Sequence, residues 1–249
     1  MTDPDMNTNQ LLCFAHRGAS GHAPENTLAA FEKAIELGAD WIETDVHLAD
    51  GELLNFHDYR LERCTNGSGY ISDKSLAYLR GLNAGDGQRI PLLTETLDLI
   101  DRRSGINIEI KSPKATPQIA AVIDDYIRNR AWSYDQFIVS SFDHPTLKEM
   151  KYMLPQIKVA PLLYGIPLEG ARFARALQAY SIHISGEFLT EAFVQDAHRQ
   201  GMKVFVFTVN FSDDLQLVRS MGVDGVITDY PEIITRNKTI LPDMFKKNL

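Results

Sequence analysis

Short apolar runs rich in β-branched residues recur at 11–15, 41–46, 106–110, 137–139, 157–163, 181–184, 204–208 and 225–227. The stretches between them follow a different rhythm: Leu28, Phe31 and Ile35 in one, and Ile119, Val122, Ile123 and Tyr126 in another, repeat at helical spacing. Strand alternating with helix at crossover length predicts parallel strands, since a hairpin turn can join only antiparallel ones. Eight such units in 249 residues most simply close into a (β/α)8 TIM barrel, an α/β architecture of about 250 residues. An open doubly wound sheet is the competing layout. It would carry a glycine-rich first turn, and residues 17–27 lack the GxGxxG spacing.

One run breaks the alternation. Residues 53–56 follow the second strand after only a few positions, too short a gap for a helix, so they are a hairpin return. If Ala49-Asp50-Gly51 forms a three-residue loop with Gly51 left-handed, Leu48 pairs with Glu52 and Glu43 with His57. His57 then shares a face with Glu43 and Asp45. A two-residue turn would set His57 opposite Thr44 and turn its side chain away, because a one-residue slip reverses every facing. The first option is the expectation. Residues 61–91 are rich in Gly, Ser, Asn and Asp, with one short helical stretch near 73–80, and read as a lid-like insertion over the substrate cleft.

The chain is 44% hydrophobic and 23% charged, with net charge −8, ordinary for a globular protein and wrong for binding a nucleic-acid backbone. Residues 1–10 read as a flexible polar tail without the basic and apolar regions of a secretory signal, and 11–249 as one domain. No stretch approaches the ~18 apolar residues of a spanning helix. The expectation is a soluble cytoplasmic protein with no integral membrane segment. Cys13 and Cys64 are too few and too widely separated for a disulfide scaffold and read as reduced thiols.

Polar groups cluster where barrel strands should end, at His16-Arg17-Gly18, Glu43-Thr44-Asp45, His57-Asp58 and Glu109-Ile110-Lys111. Active sites of this fold lie at that end. Residues two apart on a strand share a face, which pairs Glu43 with Asp45 and Glu109 with Lys111. Three carboxylates without cysteine or paired histidines suit a hard cation bound through oxygen, Mg²⁺ or Ca²⁺, rather than Zn²⁺. The alternative is an interior salt-bridge layer with Arg17 and Lys111, costly because three acids face two bases. His16 and His57 are candidate general acid and base, and Arg17 and Lys111 can hold phosphate oxygens. His22, His47, His144, His183 and His198 lack such company and are expected at the surface or satisfied in the core. Pro24-Glu25-Asn26-Thr27 looks like a helix start capped by Asn26 or Thr27.

With Asn107 to Lys111, Ser141-Phe142, Thr208-Val209-Asn210 and residues 225–231, these motifs make the chain resemble the glycerophosphodiester phosphodiesterases from His16 to Pro231. The resemblance implies a divalent metal on Glu43, Asp45 and Glu109 and a catalytic pair at His16 and His57. It also implies cleavage of deacylated phospholipids, small-molecule glycerophosphodiesters, to sn-glycerol 3-phosphate and an alcohol. Phe207 stands where the family often has tryptophan and would stack on a glycerol or lipid-derived moiety. Arg63-Cys64-Thr65 replaces the family's Arg-Thr-Thr. Two other readings keep the site: a lysophospholipase D, which needs an apolar channel, and a non-catalytic barrel that only binds a phosphate ligand.

Overall fold

The computed structural model describes residues 11–235, so the predicted tail at 1–10 lies outside it. Among the described residues, nine strands form one sheet: β1 (Leu12–Ala15), β2 (Trp41–Ala49), β3 (Glu52–Asn55), β4 (Gly105–Ile110), β5 (Phe137–Ser141), β6 (Lys158–Leu163), β7 (Ser181–Ser185), β8 (Lys203–Phe207) and β9 (Gly225–Thr228). Their order is β1-β9-β8-β7-β6-β5-β4-β2-β3, and β1 also pairs with β2, which closes eight parallel strands into a barrel. β3 pairs antiparallel on β2 as the hairpin return. The (β/α)8 barrel read from the apolar runs is therefore the observed fold.

Among the described residues, seven α-helices accompany the strands: α1 (Leu28–Glu36), α2 (Leu76–Gly81), α3 (Leu93–Ile100), α4 (Thr116–Asn129), α5 (His144–Met153), α6 (Glu191–Arg199) and α7 (Ser212–Ser220). A 3₁₀ segment at Gly170–Leu177 takes the helix position between β6 and β7. The main core lies between strands and helices, where Phe31, Ile42, Leu97, Ile123 and Val206 are fully buried. A second cluster fills the barrel interior, with Phe14, Ile138, Ala160, Phe205 and Ile227. Phe14 and Phe205 pack at 4.6 Å between ring centroids. Above this apolar plug, at the carboxyl ends of the strands, stand the inward-facing polar side chains of β2 and β4 and the residues that follow β1.

The hairpin register differs from the expected one. Ala49 pairs with Glu52, leaving Asp50-Gly51 as a two-residue turn with φ of +49° and +80°. Two left-handed residues in sequence make the turn whose twist matches the flanking strands, and Asp-Gly is well suited to it. The insertion from Leu61 to Pro91 has a small core of its own, in which Leu61, Ile71, Leu79 and Ile90 pack on Leu54 and Phe56 of the hairpin arm. No described helix is long and apolar enough to cross a membrane.

Candidate active site

β2 and β4 bring three acids together. One carboxylate oxygen from each of Glu43, Asp45 and Glu109 lies within 4.8 Å of the others. Lys111 Nζ donates to Glu109 Oε1 at 2.8 Å and stands 3.5 Å from Asp45 Oδ1, while Arg17 Nε is 3.3 Å from Asp45 Oδ2. Lys111 is thus drawn toward Asp45 and Glu109, and Arg17 toward Asp45. Glu43 accepts the Arg17 backbone N–H at 2.8 Å but makes no ion pair among the described residues.

The electrostatics follow from that imbalance. Burial, then repulsion by Asp45 and Glu109, pushes the Glu43 carboxyl well above the usual range. Burial and repulsion by Asp45 push Glu109 up to about 7. Burial opposes ionisation of Asp45 too, but Lys111, Arg17, His57 and the Asn26 amide outweigh it and hold the group low. An all-oxygen donor set whose members repel one another fits a hard divalent cation, which would relieve the repulsion.

Each histidine has an acidic partner. His16 Nδ1 lies 2.6 Å from Asp229 Oδ1, and Asp229 also accepts Ser20 Oγ at 2.9 Å and Asn210 Nδ2 at 2.6 Å. Burial opposes these contacts, yet they hold the Asp229 carboxyl down to about 2. His57 Nδ1 lies 2.6 Å from Asp58 Oδ1, and His47 Nε2 donates to the His57 carbonyl at 3.1 Å. In the two-residue register His57 would turn away if β3 continued. The strand ends at Asn55 and the imidazole swings into the cavity instead. Burial lowers its pKa.

The loop 16–27 is shaped by backbone as much as by side chains. Arg17 and Gly18 have φ of +54° and +80° and turn the chain sharply after β1. A Cβ on Gly18 would sit 2.6 Å from the Ala30 carbonyl carbon, so only glycine lets the turn rest on α1. Thr27 caps α1, its hydroxyl accepting the Ala30 N–H. The residues before it do more than start a helix. Asn26 donates to Asp45 Oδ2 at 2.9 Å and accepts the Thr44 hydroxyl at 2.8 Å. Glu25 accepts Arg17 Nη1 at 2.8 Å and both terminal nitrogens of Arg63 at 2.7 Å.

A cavity of about 240 Å³ opens at this end of the barrel. Of the eight residues singled out from sequence, His16, Arg17, Glu43, His57, Glu109 and Phe207 line it, whereas Asp45 and Lys111 are not among its lining residues. Asn107, Phe142, Leu162, Tyr164 and Ile227 complete most of the wall, so one half is ionic and the other apolar. Sequence reading missed Asp229, Glu25, Asn26 and Arg63 as site residues. Asp229 directly follows β9, the same strand-end position that marked His16.

Fold and site together define a (β/α)8 barrel enzyme with an acidic, two-histidine mouth. Residues 16–233 match the glycerophosphoryl diester phosphodiesterase family, and the chain belongs to that family. It is 39% identical over 238 residues to a glycerophosphodiester phosphodiesterase of Caldanaerobacter subterraneus subsp. tengcongensis, covering 90% of this chain and 96% of the relative. A glycerophosphodiester phosphodiesterase of Bacillus altitudinis is 35% identical, with 88% and 94% covered. Among solved structures, a phosphodiesterase of Oleispira antarctica in complex with the product sn-glycerol-3-phosphate superposes with a TM-score of 0.84. That structure is 32% identical and covers 92% of this chain and 96% of its own.

Proposed function

We propose that the protein hydrolyses glycerophosphodiesters to sn-glycerol 3-phosphate and an alcohol, with His16 and His57 as the acid–base pair and Glu43, Asp45 and Glu109 holding one Mg²⁺ or Ca²⁺. The observation that carries this reading is the convergence, at one small cavity, of two carboxylate-held imidazoles, a guanidinium and an acid triad of which Glu43 and Glu109 line the wall.

When bound, the cation supplies Lewis-acid polarisation of a phosphoryl oxygen. Arg17 offers its N–H groups to a second oxygen and balances charge that develops at phosphorus. One imidazole takes the proton of the neighbouring glycerol hydroxyl, which attacks phosphorus, and the other gives a proton to the departing alcohol. Water then opens the cyclic phosphate with the two roles exchanged. Asp229 and Asp58 each hold the Nδ1 of one ring, which leaves Nε2 of each imidazole for the substrate. Phe207 and the apolar wall pack against the glycerol carbons. The insertion is the lid on the ionic side, held there by Arg63.

Choline release from glycerophosphocholine, measured with Mg²⁺, with Ca²⁺ and with chelator, tests the reading. Turnover should require one of the cations and should fall by about 10²- to 10⁴-fold in His16→Ala and in His57→Ala. Undiminished turnover in both variants would overturn the histidine assignment, and undiminished turnover in chelator would overturn the metal.

A further inference from the structure

We infer that Asn107 determines specificity for the glycerol unit, its amide oxygen accepting the terminal hydroxyl, the one remote from phosphorus, at the floor of the cavity. This rests on the phosphodiesterase reading above and deepens it, naming the end of the diester that enters the barrel and the group that reads it. Among the described residues, five buried side-chain atoms have no hydrogen-bond partner: Arg17 Nε, Asn107 Oδ1, Ser140 Oγ, His183 Nδ1 and Glu232 Oε2. Of these five residues, Arg17 and Asn107 line the catalytic cavity. Arg17 Nε has the Asp45 carboxylate 3.3 Å away. Among the five, Asn107 alone therefore brings the cavity an acceptor without a donor.

The strand geometry sets this amide at the bottom of the site. Asn107 is 1% exposed. It precedes Glu109 by two positions on β4, so the two side chains share the inward face and the amide starts about 6.5 Å deeper along the strand. Its neighbours across the ladder are Glu43 on β2 and Ile138 on β5. Ile138 and Ile227 belong to the apolar plug, and Ile227 also lines the cavity, so the plug is the cavity floor. Asn107 stands where that floor meets the acid triad. A buried amide oxygen without a donor is costly to keep, and the broad terminal torsion of asparagine lets it turn toward a ligand.

The chemistry of the diester selects the donor. Ionised phosphate oxygens only accept, and a trimethylammonium headgroup has no N–H. A primary ammonium would carry its charge onto the apolar floor. The glycerol hydroxyls remain. The one beside the phosphate gives its proton to an imidazole as it attacks phosphorus, which leaves the terminal hydroxyl for Asn107. Leu162, Phe207 and Ile227 then face the glycerol carbons, and the headgroup alcohol points out of the barrel. A site that hydrogen-bonds a substrate hydroxyl rejects the analogue lacking it, because the buried acceptor is then left unpaired.

Choline release is compared for glycerophosphocholine and for its 1-deoxy analogue, the propane-1,2-diol ester that keeps the attacking hydroxyl and lacks the terminal one. Both are assayed with the wild type, Asn107→Leu and Asn107→Ala. What is read is the ratio of kcat/KM between the two substrates, which a general loss of activity or stability does not move. The wild type should favour the glycerol diester by about 10- to 100-fold, and the ratio should fall to near one in both variants. For a variant too slow to assay, the same ratio is read from the calorimetric affinities of sn-glycerol 3-phosphate and its 1-deoxy analogue. A wild-type ratio near one, or a ratio that persists in either variant, overturns the proposal. No choline from either substrate with the wild type overturns the phosphodiesterase reading itself.

Discussion

Arg63 does not line the catalytic cavity, yet it joins the acidic partners of two residues that do, His57 and Arg17. Its Nε and Nη2 bond both oxygens of Asp58, the partner of His57, and its terminal nitrogens hold Glu25, the partner of Arg17. A planar guanidinium can bridge two carboxylates in this way, whereas a lysine ammonium offers no such fork. Arg63→Met should therefore reduce kcat on glycerophosphocholine by about 10- to 100-fold, the scale of a misplaced catalytic group. Arg63→Lys should recover part of that loss, and both variants should unfold close to wild type in urea because Arg63 is half-exposed. Equal kcat in all three proteins would show that the bridge does not position His57 or Arg17. None of this was legible in the sequence. The strand-end rule found groups that emerge from β1, β2 and β4, but Arg63 comes from an irregular insertion, and Asp229 stands 213 positions from His16, brought near only when β9 pairs with β1.

Strand and helix positions were legible in the hydrophobic runs because burial on both faces leaves a continuous signal, and each of the eight runs coincides with a barrel strand. The register of the β2–β3 hairpin was not. It depends on whether Ala49 belongs to the turn or to the ladder, and local composition permits either. What decides is packing beyond the turn: Asn55 Nδ2 donates to Thr44 Oγ1 at 2.7 Å, Thr96 of α3 donates to Asn55 Oδ1 at 2.8 Å, and Thr44 itself donates to Asn26, which binds Asp45. This buried chain ties hairpin, helix and first loop to one acid of the triad, and a slipped register would leave its polar groups unpaired. Two glycines separate the contributions of φ and of space. At Gly51 a Cβ meets nothing within 4 Å, so Gly51→Ala should cost only the left-handed strain, about 1 kcal/mol. At Gly18 the same strain adds to a contact with the Ala30 backbone, and Gly18→Ala should cost more than ~2 kcal/mol. Urea midpoints of the two variants measure the difference, and similar values would mean that the first loop can move off α1.

For the molecule as a whole, the barrel centre couples folding to pH through a residue that sequence assigned to an ordinary core or surface position. His183, on β7, is fully buried beside Phe14 and Phe205, with ring centroids 6.1 and 5.4 Å away, and its Nε2 lies 3.3 Å from Ser181 Oγ. Burial lowers its pKa to about 3. A base with a depressed folded pKa takes its proton first in the unfolded chain, so below the unfolded value of about 6.5 the unfolded state binds more protons and stability falls with pH. From pH 6.5 to pH 5 the loss attributable to this one ring should be about 2 kcal/mol, since each pH unit is worth roughly 1.4 kcal/mol. His183→Gln and His183→Phe remove the titrating group, the second with a ring suited to its aromatic neighbours. In urea unfolding at pH 7.5, 6 and 5, both variants should lose less stability than wild type as pH falls. The difference should be nearly absent at pH 7.5 relative to each protein's own baseline and grow toward pH 5. Parallel losses in all three proteins would mean that His183 gains its proton in the folded barrel as readily as in the unfolded chain, which requires water to reach the layer beneath the acid triad.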